Sequence, residues 1–387
     1  MVFYLHESQM NTDSKYYQSK MENLHDAESA YLSGKPISSK LPPKLNFQTN
    51  YSCNARCKSC PIERPLREKK EMNISVFDRI AEEAFPTAIL ISTTTLGEPL
   101  MLPWFGHLCS TARRYDVLAD IVTNGMLLDE NNINDILSIA ADIKISYDSS
   151  DEDMFKNLRP GCKKSVIDNN IAHLMKQRSK TCPPQNPTVT IQSTLMKSNI
   201  HQLPAIVKLA SDAGADRVKA YYMISYAQQT DSEVLAGNDR EYRHFIGEAK
   251  ELAIEYGLKF EASEESSDGA QTGLRDVRCT TAWHQMWVDY NGFAYPCHSH
   301  GGYSLGNTEV GIANLWNNEK YLAIRRTDGK QKGLPCYLCG MLFERDGDIP
   351  VPYDTDNFHS SHSGNRIGAG VRWSNRSRLF DSTERKT

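Results

Sequence analysis

The chain has 387 residues, with 44 Lys and Arg against 48 Asp and Glu and a formal net charge of −4. No strongly basic face is implied, so nucleic acid is a poor first partner. No stretch approaches the 18 or so apolar residues of a membrane span, and Met1-Val2-Phe3-Tyr4-Leu5-His6-Glu7 lacks the basic-then-apolar order of a secretory signal. Ten cysteines in a chain of this size, seven of them in two ligand-like sets, predict a reduced, cytoplasmic, metal-loaded protein rather than a disulfide scaffold.

Residues 1–43 are polar. Ser14–Leu32 is expected to form one or two helices ending near Gly34 and Pro36, packed on the exterior of the main fold. Lys44–Asn50 alternates apolar and polar residues, as a half-buried strand does. It runs straight into Tyr51-Ser-Cys-Asn-Ala-Arg-Cys-Lys-Ser-Cys-Pro61, which places Cys53, Cys57 and Cys60 within eight residues. Three thiolates so close point to one soft centre. A structural zinc wants four ligands, and no fourth Cys or His lies nearby. Cytosolic redox motifs use two cysteines. Three suit a [4Fe–4S] cluster with one iron left open to a small molecule; a metal with a distant fourth ligand is the alternative.

Beyond the loop, short apolar strands alternate with amphipathic segments. Ala88–Thr93, Ala119–Thr123, Asp142–Tyr147, Thr188–Thr194 and Arg217–Tyr222 read as strands. Ser75–Ala84, Trp104–Tyr115, Ile133–Ala140 and Leu203–Ala213 read as helices. This alternation predicts an α/β fold of parallel βαβ units, a partial (β/α)6 TIM-type barrel. Catalytic groups then belong at the C-terminal strand ends. Those ends carry Thr95-Leu96-Gly97-Glu98-Pro99, Thr123-Asn124-Gly125, Ile145-Ser146-Tyr147-Asp148, Gln192 with Thr194, and Tyr221-Tyr222-Met223, and Leu158-Arg159-Pro160-Gly161 follows the fourth. Cys109, Cys162 and Cys182 fit no spacing pattern.

Past Gly257 the pattern changes. Glu261–Gly273 is acidic and Ser-rich, a linker or loop. Asn291-Gly292 between apolar runs predicts a two-residue hairpin, with Cys279 before it and Cys297 after it. A helix-like stretch, Ile312–Arg325, leads to Cys336-Tyr337-Leu338-Cys339. Four thiolates close either an iron–sulfur cube or an all-cysteine zinc site. Residues 346–387 are polar and read as a loose tail, or as a lid carrying His359, His362 and Trp373.

The C-x3-C-x2-C loop after a strand resembles the signature of radical S-adenosylmethionine (SAM) enzymes, although Ser59 stands where that family usually has an aromatic residue. The resemblance implies that the open iron binds SAM and that the cluster cleaves it to a 5′-deoxyadenosyl radical. Gly97 and Glu98 match the family's Gly-Gly-Glu-Pro turn, where the amino group of SAM is held. Ser146 and Arg159 match positions near the ribose and carboxylate of SAM, and Gln192 is a further candidate for the ribose. The second cysteine set resembles the SPASM auxiliary-cluster region in its shortened twitch form. Asp289, Gly292, Gly306-Asn307 and Trp316 supply its marks, and Cys279, Cys297, Cys336 and Cys339 its ligands.

The expected organisation is an extension (1–43), a radical SAM barrel (44–256), a twitch-like domain (257–345) and a tail or lid (346–387). The expected cofactors are SAM, the SAM-binding [4Fe–4S] cluster and one auxiliary [4Fe–4S] cluster, with a flavodoxin- or ferredoxin-type electron donor as partner. The expected reaction is a two-electron oxidation of a small molecule, sugar or aminocyclitol-like. The alternatives are maturation of a ribosomal peptide, a redox-neutral epimerisation or dehydration, and, outside catalysis, a zinc-binding scaffold. The proton-accepting residue is left open among Tyr222, His284, His298, Glu98 and Arg159.

Overall fold

The computed structural model describes residues 9–62, 70–94, 96–181, 186–223, 232–235, 240–262, 273–274, 279–298, 302–329, 331–334, 336 and 343–344. Seven parallel strands form its centre: β1 (Lys44–Phe47), β2 (Leu90–Ser92), β3 (Leu118–Thr123), β4 (Ala140–Ser146), β5 (Thr188–Leu195), β6 (Arg217–Tyr222) and β7 (Lys259–Ala262). They lie side by side in chain order, the arrangement that right-handed βαβ crossovers give. Between them run α2 (Ile74–Ala84), α3 (Phe105–Arg114), α4 (Glu130–Leu137), α5 (Glu152–Leu158), α6 (Lys164–Arg178), α7 (Leu203–Asp212) and α8 (Arg240–Glu255). This is the expected α/β partial barrel.

The helices start where local chemistry lets them. Asn73 accepts the Ser75 N–H to cap α2, and Asp129 with Asn132 forms a capping box on α4. Helix α2 then buries Phe77, Ile80, Ala81 and Ala84, and Phe77 meets Phe47 of β1 edge-on at 5.5 Å between ring centroids.

The second half of the chain does not stand apart from this sheet. After β8 (Gly273–Leu274) and α9 (Thr281–His284), strand β9 (Gln285–Val288) pairs parallel with β1, from Lys44↔Gln285 to Phe47↔Val288. Strands β10 (Phe293–Tyr295) and β11 (Gly306–Asn307) follow antiparallel, completing a ten-stranded sheet. Helices α10 (Ile312–Trp316) and α11 (Glu319–Arg326) come next, and β12 (Phe343–Glu344) pairs with β8. The predicted two-residue hairpin is instead a four-residue turn, Asp289–Gly292. The Asp289 side chain accepts the N–H groups of Asn291 and Phe293, both at 2.9 Å, and Gly292 takes the positive φ of 81°. The single helix expected over Ile312–Arg325 breaks in two because Asn318 caps α11 by accepting the Tyr321 N–H. Glu261, expected in a linker, belongs to β7; the rest of that linker, apart from Ala262 and Gly273, and the whole of 346–387 lie outside the described residues.

Helix α1 (Tyr17–Ser33) ends at Gly34, φ 69°, close to expectation. Lys20 on α1 is buried and donates to the carbonyls of Phe85 and Ala88, and the Gln9 side chain donates to Ala141 O at 3.1 Å. The segment therefore closes the N-terminal end of the barrel, opposite the strand ends.

The two faces of the central sheet differ. Leu45, Phe47, Ala119, Ile121, Ile143, Ile145, Val189, Ile191, Val218 and Ala220 join the core with the helices. The other face, the barrel interior, carries charges in alternation. Lys44 pairs with Asp120 (2.8 Å), and Lys144 with Asp120 and Asp142 (both 3.1 Å). Arg217 then pairs with Asp142 and with Glu261 (2.9 Å), and Lys219 with Glu261 (2.9 Å). Burial opposes the charge of Asp120, but Lys44 and Lys144 hold its carboxyl well below the usual carboxylate range. Its stabilising contribution is therefore present above the unfolded carboxyl value near 3.8 and is lost as pH falls below it. Asp120→Asn should cost about 3 kcal/mol at neutral pH, since it takes the carboxylate from Lys44 and leaves Lys144 with Asp142 alone. Denaturant titrations at falling pH should show the gap to the unsubstituted protein closing below about pH 4.

Candidate cofactor site at the strand ends

The cysteine loop leaves β1 at Gln48 and is held from several directions. The Gln48 side chain donates to Asn50 O (2.6 Å) and to the Thr94 hydroxyl (3.1 Å), and Thr49 donates to Thr93 O (2.7 Å). Glu98 N–H donates to Ser52 O at 2.8 Å, while Arg56 N–H and Lys58 N–H reach Pro160 O (2.7 Å) and Leu158 O (2.9 Å). The Gly97-Glu98-Pro99 turn after β2 and the Leu158–Gly161 segment after α5 thus grip the loop between them. Both depend on glycine. A Cβ at Gly97 would sit 2.6 Å from Asn50 O, and one at Gly161, whose φ is +94°, only 2.5 Å from Asn54 O. Gly161→Ala should destabilise the protein by about 1–3 kcal/mol and lower the iron retained on anaerobic reconstitution, checked by denaturant unfolding and iron assay.

Sulfur-directed donors surround Cys53. Ala55 N–H approaches its Sγ at 3.4 Å, and the Asn124 side-chain amide at 3.8 Å while also donating to Asn54 Oδ1 at 2.6 Å. Such N–H groups stabilise thiolate ligands of iron–sulfur clusters. Asn124, from the Thr123-Asn124-Gly125 run noted at a strand end, is thereby placed against the loop.

Glu98 is almost wholly buried. It accepts the Thr123 hydroxyl (2.7 Å) and the Asn124 N–H (2.8 Å), besides Leu100 N–H at 3.3 Å. Burial pushes its carboxyl up, against the pull of these donors. Its carboxylate therefore ties the β2 and β3 ends together and, at 1 % exposure, has little surface left for an ammonium group.

Arg159 is also buried. Its Nη1 donates to Asp148 at 2.7 Å, and Asp148 in turn accepts Thr194 N–H at 2.8 Å. Burial opposes the guanidinium charge, but Cys57, Asp148 and Cys162 raise its pKa above its ordinary value. Burial pushes the Cys57 thiol up to about 12, with Arg159 pulling the other way. Cys162, which fits no sequence pattern, is thus brought beside Arg159. Arg159 Nε is buried without a hydrogen-bond partner among the described residues, a donor that an incoming anionic group would satisfy.

Ser146 and Gln192 are register partners across β4 and β5, and Lys219 and Glu261 continue the same row. Tyr221 stays 38 % exposed, with Lys219 Nζ 5.2 Å from its ring centre. Its neighbours are core: Tyr222 stacks on Tyr242 at 4.5 Å, and Met223 is buried with Leu158 and Met196. His284 is buried as well, packed on Tyr31 at 5.7 Å.

In the second set, Cys279 precedes α9, Cys297 follows β10, and Cys336 lies beyond α11; Cys339 is outside the described residues. Tyr321 on α11 gathers them. Its hydroxyl donates to the carbonyls of Gln285 and Pro296, and burial raises its pKa with help from the thiols of Cys297, Cys279 and Cys336. Among the described residues no three His, Cys, Asp or Glu side chains converge tightly enough to share one metal ion. A four-iron cube, with each thiolate on a different iron, spaces its ligands more widely.

Comparison with known proteins agrees with this geometry. The model of SPASM, an iron-sulfur cluster-binding domain, matches residues 279–340. A PqqA peptide cyclase of Gluconobacter oxydans (strain 621H) is 23% identical over 311 residues, 77% of this chain and 82% of that one. The solved structure of Streptococcus suis SuiB bound to S-adenosylmethionine superposes with a TM-score of 0.63 at 15% identity, covering 86% of this chain and 78% of that one. The fold is that of radical SAM enzymes, and residues 279–340 match a SPASM domain. SuiB bound to its precursor peptide SuiA gives a TM-score of 0.60 at 14% identity, covering 82% and 73%. The end of α5 and the turn after it carry the Leu158–Gly161 grip on the cysteine loop; the sequence offered only the Arg-Pro-Gly run as a sign of it.

Proposed function

We propose that this chain is a radical SAM enzyme that modifies a peptide. The observation that carries the reading is the alignment along most of both chains with a protein named as a peptide cyclase, and the fold shared with a protein solved with its precursor peptide supports it. Oxidation of a sugar or aminocyclitol has no comparable support and becomes the alternative.

Cys53, Cys57 and Cys60 would hold the catalytic cluster, whose open iron takes SAM, the source of the hydrogen-abstracting radical. Cys279, Cys297, Cys336 and Cys339 would hold the auxiliary cluster. Backbone at Gly97, the row Ser146–Gln192 and the free N–H of Arg159 would line the SAM site. Glu98 acts at one remove, fixing Thr123 and Asn124 against the loop. The barrel interior below this row is polar and charged, which suits the amide groups and ionic side chains of a peptide better than an apolar substrate. Residues 44–262 would form the barrel unit, six residues longer than expected because β7 pairs parallel with β6, and the chain from there to 345 the cluster-bearing unit that extends its sheet beside β1. Electrons would come from a flavodoxin- or ferredoxin-type donor. Among the described residues no helix is long and apolar enough to cross a membrane.

The test is anaerobic incubation with SAM and dithionite, against short peptides encoded beside the gene and a panel of aminocyclitols. We expect 5′-deoxyadenosine above the substrate-free level and a peptide product lacking hydrogen atoms or internally crosslinked. Turnover coupled only to the aminocyclitols would overturn the peptide reading.

A further inference from the structure

Arg325 is the most unusual charge outside the strand-end site. It projects from α11, is 1 % exposed, and lies between two aromatic rings, 4.3 Å from the centre of Trp316 and 4.4 Å from that of Tyr321. Its Nε donates to Ala282 O (2.7 Å), and its Nη1 to Asn317 Oδ1 (2.7 Å) and Pro36 O (3.3 Å). Its Nη2 is buried without a partner among the described residues. Every acceptor named is neutral, and no carboxylate among the described residues pairs with the guanidinium. A buried cation normally needs an anion, so the fold carries an electrostatic debt at this point.

The surroundings indicate what settles it. Ala282, the Nε acceptor, stands three residues after Cys279, and Pro296, an acceptor of the Tyr321 hydroxyl, immediately precedes Cys297. Tyr321 is within electrostatic reach of Cys279, Cys297 and Cys336 and in ring contact with Arg325. The guanidinium thus touches the segment after Cys279 directly, through Ala282 O, and reaches the one before Cys297 through the Tyr321 ring. A cube ligated by four thiolates is itself an anion, and it gains a further negative charge on reduction.

We infer that Arg325 is the buried counter-cation of the auxiliary cluster, a positioning residue that favours its reduced state and the retention of its iron. The inference rests on the auxiliary-cluster part of the functional reading and is independent of the substrate. The sign follows from charge: a fixed cation in a low-dielectric site stabilises the more negative oxidation state, so removing it makes the cluster harder to reduce.

The test uses the full chain with Cys53, Cys57 and Cys60 all changed to alanine, so that only the auxiliary cluster contributes to the spectrum. Iron content and an electron-paramagnetic-resonance redox titration are compared for Arg325, Arg325→Lys and Arg325→Met. We expect Arg325→Met to lower the reduced-to-oxidised ratio at fixed potential about tenfold, equivalent to about 59 mV for a one-electron couple, and Arg325→Lys to restore most of it. If Arg325→Met holds no iron while Arg325→Lys does, the need for a positive charge is upheld. The inference is overturned if Arg325→Met binds its cluster at an unchanged potential. It is also overturned if the lysine and methionine variants shift alike, or both lose iron, which marks a packing role. Absence of iron with Arg325 intact would instead refute the auxiliary cluster itself.

Discussion

Cys57→Ala should abolish reductive cleavage of SAM, with 5′-deoxyadenosine falling to the protein-free level and iron dropping from about eight to about four per chain. The expectation follows from the geometry of the loop. Cys57 is partly buried, packed on the core, and within the field of Arg159, and the methyl group of alanine offers its iron corner no ligand. The fold should survive, because the loop backbone is held by bonds from Glu98, Leu158 and Pro160 that do not involve sulfur. Retention of about four irons would also separate the two cysteine sets, since only the second set keeps all its thiols. Iron assay and chromatographic quantification of 5′-deoxyadenosine check both halves; unaltered cleavage would remove the loop from the mechanism.

The second large effect is expected at Arg159. Its partner Asp148 is 1 % exposed, so Arg159→Ala leaves a buried carboxylate held by Thr194 N–H alone of the two contacts. Breaking such a pair costs about 3–5 kcal/mol. The double variant Asp148→Asn with Arg159→Met should recover much of that loss, because no unpaired charge is left inside. Affinity for SAM should stay weak in both if Arg159 lines the cofactor site. Denaturant unfolding measures the first effect, and equilibrium binding of SAM to the anaerobic protein the second. Recovery of stability together with full SAM affinity would leave Arg159 a purely structural residue.

Much of the barrel was readable because strand and helix periods are local. Arg217–Tyr222 was predicted with the limits the structure gives, and α7 begins at Leu203 as expected. Helix α8 was missed: it buries Tyr242 and the small residues Ala249 and Ala253, too faint a stripe to stand out in a charged segment. The predicted hairpin forms, β9 pairing antiparallel with β10, but its turn is longer than two residues because the Asp289 carboxylate organises it. At the site, the cysteines announced themselves through spacing, and Gly97 and Arg159 through the family resemblance alone. The bond from Glu98 to Thr123 and that from Asn124 to Cys53 did not, since they join residues 25 and 71 positions apart. The interior charges have the same character. Asp142 and Arg217 are 75 positions apart, and only the register of β4, β5 and β6 brings them together. Arg325 marked only the end of a helix-like stretch in the sequence; the packing of α11 is what sets its guanidinium against Trp316.

The central claim is that the loop after β1 presents an iron to SAM. The most direct measurement is the electron-paramagnetic-resonance spectrum of the anaerobically reduced protein before and after addition of SAM. The account predicts that SAM alters the signal contributed by the Cys53, Cys57 and Cys60 cluster and leaves the spectrum of the triple-alanine protein unchanged. A reduced spectrum indifferent to SAM, or one that responds equally in the triple-alanine protein, would contradict it.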